Sequence, residues 1–250
     1  MSGTIEGTAK TRKGEQTRAH ILETALRLFR ERGYEETTMR AIAEAAGVAV
    51  GNAYYYFRSK EHLIQAFYEH THEEHEAACR EILAKQTDLR ARLLGVLRAK
   101  IDTAMPYHRF SGVLFKTAAD PRSPLNPFSV ESQPLRQRST ALFAEVVEGS
   151  RTRVGNAKLR EELPHLLWTY HMGILLFWIH DDSPGSARTY RLIEHTVKLV
   201  TNLIRVADLP PFRPLLRTTL ELLADLRGPS PPYPPLPPPP SRPGEGGIRG

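Results

Sequence analysis

The chain has no second cysteine. Cys79 stands alone among 250 residues, so no intramolecular disulfide can form and a reducing cytoplasm is the expected compartment. It shows no signal-peptide pattern, because the first twenty residues lack an apolar core segment. It has no clean apolar run of membrane-spanning length. The longest, Leu163 to Ile179, is interrupted by Pro164, His165, Thr169 and His171 and reads as a buried helix. Phosphate-binding glycine loops, nucleophile elbows, HExxH and paired-cysteine metal patterns are all missing, which argues against an enzyme, and no cofactor is expected. Strand-like alternation is missing too. The expected class is therefore all-α.

What is present is concentrated in residues 38–57, TMRAIAEAAGVAVGNAYYYF. Ile42, Ala43 and Ala46 share one helical face; after Gly47, Val50, Ala53 and Phe57 recur at helical spacing. Gly47 stands where a tight turn needs a positive backbone dihedral, and Ala43 is small where two helices must cross. Helix, glycine turn and helix make a helix-turn-helix, whose second helix enters the major groove. The same stretch can also be read as an ordinary helical hairpin. Upstream, Ile21, Leu22, Ala25, Leu28 and Phe29 form an apolar stripe ended by Gly33, with Tyr34 as a packing residue and Thr37 or Thr38 as the next cap. Downstream, Ser59 starts a helix whose buried face holds Leu63, Ile64 and Phe67.

From the first helix through ERGYEETTMRAIAEAAGV to YYYFRSKEHL, residues 17–67 resemble the DNA-binding domain of TetR-family repressors. Several elements agree in order and spacing over about a fifth of the chain; beyond it only length and helical character agree. Three positions depart from the family's pattern. Ala49 replaces a serine able to cap the recognition helix, Ala53 a larger apolar residue, and Asn52 a threonine or serine. We read Asn52 as a difference in specificity, since Asn pairs with adenine through two hydrogen bonds.

Chemistry and resemblance together assign the expected DNA contacts. Thr38 caps the first motif helix, and Arg40 reaches a phosphate or guanine edge. Val50, Gly51 and Asn52 face base edges. Tyr54, Tyr55 and Tyr56 cannot all turn inward, and the resemblance implies backbone contacts for Tyr54 and Tyr56. Lys60, at a helix start, holds a phosphate.

The formal net charge is +6, but through residue 62 ten Lys/Arg face eight Asp/Glu, so DNA binding must rest on placement. Lys10, Arg12 and Lys13 make a small basic arm, expected either to follow a groove or to be solvated. The expected organisation is a flexible arm over 1–14, a helix-turn-helix domain over 15–60, and a helical effector-binding and dimerisation domain over 61–227. A disordered proline-rich tail over 228–250 carries half of the chain's prolines.

The larger region reads as helices over 59–84, 89–105, 110–119, 130–154, 158–180 and 187–207, with a weaker pattern over 211–226. Pro106, the DPRSPLNPF segment, Gly155-Asn156 and Ser183-Pro184-Gly185 separate them. Pro134 points to a later start for the fourth of these. The resemblance implies that the last two long helices pair with those of a second subunit, giving a homodimer on a double-stranded operator with half-sites about 34–36 Å apart. It also implies a small-molecule effector pocket. Tyr107, His108, Phe110 and Phe115 cluster near one breaker, and Trp168, His171 and Trp178 share a helix face; each can equally be core.

A different sensor is conceivable in EHTHEEHEAAC, where His72, His75 or Glu76, and Cys79 fall on one helical face with metal-ligand chemistry, although all come from one helix. The leading expectation is a ligand-responsive repressor. A metal-responsive regulator and an all-helical dimeric enzyme are the alternatives.

Overall fold

In the computed structural model, described over residues 3–207 and 209–227, the first helix, α1, spans Gly3–Arg32. Its buried stripe is the expected one: Ile21, Leu22, Ala25, Leu28 and Phe29, joined by Leu26. The helix reaches back through the stretch expected to be a flexible arm, so Lys10, Arg12 and Lys13 belong to it. Gly7 and Gly14 each weaken a helix by roughly 1 kcal/mol relative to alanine without breaking it, and no proline intervenes. Gly33, at φ +90, ends α1.

Helix α2 (Met39–Ala45) begins on Thr38, whose Oγ1 accepts from Ala41 N at 3.1 Å. Thr37 is buried instead and donates to Gly33 O at 2.7 Å. Gly47 adopts φ +65, turning the chain into α3 (Val50–Tyr56). Ala43 and Ala53 are both fully buried where the two helices meet. Ala49, at the N-cap of α3, offers no side-chain hydrogen bond. This start is held by backbone alone.

Helices α4 (Lys60–Lys85), α5 (Leu89–Ala104) and α6 (His108–Ala118) follow, the last two separated by a tight turn containing Pro106. Helix α7 (Gln133–Glu148) starts three residues later than its apolar pattern suggests, with Pro134 in the first turn where a missing N–H costs nothing. It also stops earlier than 154, at Gly149. Helix α8 (Ala157–Ile179) carries Pro164 inside it, and α9 (Ala187–Val206) completes this part. Among the described residues there is no strand, and no helix is long and apolar enough to cross a membrane.

Two buried charges hold the helix ends. Arg92 donates to the carbonyls of Val146 (3.0 Å), Leu83 (2.6 Å), Gln86 (2.6 Å) and Glu145 (2.6 Å), satisfying C-terminal oxygens of α4 and α7 that have no partner within their helices. Asp181 accepts from Ser183 N and Oγ and from Thr189 N and Oγ1 at 2.6–3.0 Å, fixing the α8–α9 turn. Burial alone would raise its pKa; these hydrogen bonds hold it far below the carboxylate range.

The helices on either side of residue 60 pack together rather than apart. The described residues up to Leu209 form one unit, in which Phe110, Leu114 and Leu125 share a core with α1–α4. The second unit begins at Pro210 and contains α10 (Arg213–Arg227), with an exposed Arg217–Glu221 pair at 2.9 Å. The proline-rich tail expected over 228–250 lies outside the described residues.

Candidate functional site

The first surface of interest is built by α2, α3 and the start of α4. Thr38, Arg40, Gly51, Asn52, Tyr54 and Tyr55 are exposed, and Val50 is on the margin. Tyr55 is the most open, at 79 %. Ala53 and Phe57 anchor the opposite face, so α3 presents its polar and aromatic side outward. Tyr56 behaves differently. It is half-buried, packs against the core, meets Tyr55 edge-on at 5.1 Å, and brings its hydroxyl against Gly14 of α1.

Lys60 is also more engaged than its sequence position indicates. Its Nζ lies 4.4 Å from the Tyr34 ring centroid and donates to Tyr34 O at 2.7 Å and Glu35 O at 3.3 Å. Tyr34 in turn donates to Glu61 at 3.0 Å. The ammonium thus ties the α1–α2 turn to α4, with donor capacity left for a phosphate.

The second feature is a cavity of about 240 Å³ enclosed by α4–α8 and the 119–132 loop. Tyr107, Phe115, Trp168, His171 and Trp178 line it, five of the seven side chains singled out from sequence. His108 and Phe110 do not. The His108 ring donates from Nε2 to Trp178 O at 2.7 Å and packs against that indole at 4.8 Å, pinning α6 to the end of α8. Phe110 faces the other way, stacking with Phe29 at 6.0 Å and meeting Phe67 at 5.3 Å. On α6, a residue near the first turn and one near the last lie on different sides, which spacing alone did not separate.

The histidine-rich face of α4 is interior. His75 donates from Nε2 to Val96 O at 2.9 Å; His72 sits between Glu76 (3.1 Å) and Ser139 (3.4 Å); Cys79 is buried, its thiol pushed up to about 12 by desolvation. Among the described residues, no three His, Cys, Asp or Glu side chains converge as a metal site requires. The expected face exists, but it points into protein.

Sequence reasoning overlooked Lys100, Arg136 and Ser139 in the cavity wall. For Lys100 a signal was available. It lies four residues after Val96 and four before Ala104, both buried, so a lysine was sitting on the inward stripe of α5. Burial lowers its pKa to about 8.

Relatives agree with this layout. A family model described as bacterial regulatory proteins, tetR family, matches residues 21–67, and one for the tetracyclin repressor-like C-terminal domain matches residues 92–222. The HTH-type transcriptional regulator TtgR of Pseudomonas putida is 27% identical over 201 residues, covering 78% of this chain and 90% of TtgR. The HTH-type transcriptional repressor KstR2 of Mycobacterium tuberculosis is 30% identical over 135 residues, covering 54% of this chain and 64% of its own length. Among solved structures, a TetR transcriptional regulator from Nitrosomonas europaea superposes with a TM-score of 0.56 at 17% identity, covering 73% of this chain and 96% of that one, which speaks for the fold alone. With one family model on the reading head and another spanning more than half the chain, this protein belongs to the TetR family of bacterial transcriptional regulators.

Proposed function

We propose that this regulator is a homodimeric, cytoplasmic repressor that reads its operator with α3 and leaves it when a small apolar or aromatic molecule fills the cavity. The observation that carries the reading is the double role of one short helix. On α6, Phe110 belongs to the core of the DNA-reading head, while Ser111, Leu114 and Phe115 wall the cavity. Phe67, Leu114 and Leu125 belong to both at once. A molecule that shifts α6 therefore shifts α1 and the recognition helix with it. Such a ligand acts only by preferring the arrangement that cannot hold DNA; a tenfold preference is about 1.4 kcal/mol.

Asn52, Tyr54 and Tyr55, with Val50 and Gly51, are the proposed groove contacts, and Thr38, Arg40 and Lys60 the proposed phosphate contacts. Tyr56 contributes by bracing α3. The twofold partner is a second copy, seated on the outer faces of α8 and α9. There Leu199 and Leu203 on α9 are 58 % and 56 % exposed, Phe177 on α8 is exposed as well, and Gly173 leaves open space for close approach. Water-exposed leucines in such a stripe favour burial against another helix pair.

The test is enrichment of duplexes from a random DNA pool on the full chain. Binding of the winners, with twofold-related half-sites and steep weakening by salt, supports the reading. Equal, salt-insensitive recovery of all sequences, or a monomer on DNA, contradicts it. The all-helical enzyme considered from sequence is set aside by the family to which the chain belongs.

A further inference from the structure

The cavity wall is apolar over most of its area, and while Thr71, Ser132, Arg136 and Ser139 in it have partners, three of its nitrogen-bearing side chains do not. Lys100 Nζ has neither an ion pair nor a hydrogen bond among the described residues, although the side chain is half-buried in the wall. His171 is 5 % exposed and both its ring nitrogens lack a partner. Trp178 is 1 % exposed and its Nε1–H lacks one as well. All three line the same cavity. Arg136, the other cation in the wall, is already spent on the carbonyls of Pro127 and Ser129. Among the described residues, no aspartate or glutamate lines the cavity.

Resting on the reading of this cavity as the effector site, we propose that the effector is a carboxylic acid with a compact apolar or aromatic body, its carboxylate taken by Lys100 with His171 and Trp178 as further donors. Glu74 acts on the Lys100 ammonium only at a distance, without an ion pair; a buried ammonium so placed is costly, and so is each buried donor left unmade. One carboxylate at Lys100 cancels the positive charge and keeps lone pairs for the donors of α8, where His171 and Trp178 stand two turns apart along the wall. Neutral ligands satisfy the donors and leave the charge. Cationic ligands worsen it. His171 stays neutral, its protonation opposed by burial and then by the Lys100 charge, so it has one N–H to give. Lys100, at about 8, is mostly charged at neutral pH. The rest of the wall, including Phe67, Phe115, Trp168 and Leu175, suits an apolar body.

Both tryptophans of the chain, Trp168 and Trp178, line the cavity, so intrinsic fluorescence reads its occupancy. The experiment titrates the full chain with octanoate and 1-naphthoate, and with the neutral octanamide and 1-naphthamide. The acids are expected to bind about tenfold or more tightly than their amides. Lys100→Met and Lys100→Gln are each expected to abolish that preference while amide binding persists. Two substitutions are used so that a folding defect in one, seen by circular dichroism, does not decide the result. Equal binding of acids and amides by the wild type, or a preference that survives both substitutions, overturns the carboxylate assignment and leaves the cavity as a neutral-ligand site. No fluorescence response to any of the four overturns the effector-cavity reading itself, and this assignment with it.

Discussion

Phe29 of α1 and Phe110 of α6 stack with ring centroids 6.0 Å apart and planes within 5° of parallel. This contact joins the first helix of the reading head to the helix that walls the cavity. Phe110→Ala should cost about 3–5 kcal/mol, because the residue is fully enclosed and leaves a void. Phe115→Ala should cost distinctly less, since that side chain already faces open space. Urea midpoints of the two variants check the contrast; similar losses would mean that Phe110 is not the stronger link.

Asn52 is exposed on α3. Asn52→Ala should weaken binding to the enriched operator by about 1–3 kcal/mol and barely change binding to random duplex. Equal losses on both would remove Asn52 from base reading.

Lys60 has a structural share beside its proposed share in DNA binding. Lys60→Ala should reduce affinity for every sequence alike, lower the salt slope by about one, and also destabilise the fold by about 1–2 kcal/mol through the lost Tyr34 contacts. Anisotropy titrations at several salt concentrations, paired with thermal melts, measure both. A change in base preference would count against this role.

His72 and His75 are kept neutral, chiefly by burial, with His75 lowered to about 3. In the unfolded chain each takes up a proton near pH 6.5, so the unfolded state binds more protons below that value. Stability is therefore complete above about pH 6.5 and falls by about 1.4 kcal/mol per pH unit per histidine as acid approaches the folded values. His75→Gln, which keeps a donor for Val96 O but does not titrate, should flatten the fall. Urea midpoints from about pH 7 to about pH 5 test it; an unchanged slope would assign the acid sensitivity elsewhere.

Asp181 is held by four hydrogen bonds around the α8–α9 turn. Asp181→Ala leaves the Thr189 hydroxyl and N–H buried without a partner and should cost about 2–3 kcal/mol. If α8 and α9 form the twofold seam, the same variant should raise the dimer dissociation constant, which sedimentation equilibrium reads. An unaltered melt would show the turn to be held by other contacts.

The helices and their breakers were legible because each signal is local. Gly33 and Gly47 take the positive φ that their positions demanded, and Thr38 caps as its hydroxyl allows. What escaped was decided at long range. The direction of Phe110 depends on a ring contributed by α1, far earlier in the chain. The inward turn of His72, His75 and Cys79 depends on α5 and α7 covering them. A spacing rule gives a shared face but not what lies against it. The extent of α1 was missed for the opposite reason, since its first turns carry charge and glycine but nothing that forbids helix.

The most direct test joins the two sites in one measurement. Operator affinity of the full chain is followed by anisotropy while an acid or amide that quenches Trp168 and Trp178 is raised to saturation. A loss of affinity of about tenfold or more, reached at the concentration that fills the cavity, is the predicted result. Affinity unchanged with the cavity full would contradict the coupling of cavity to recognition helix.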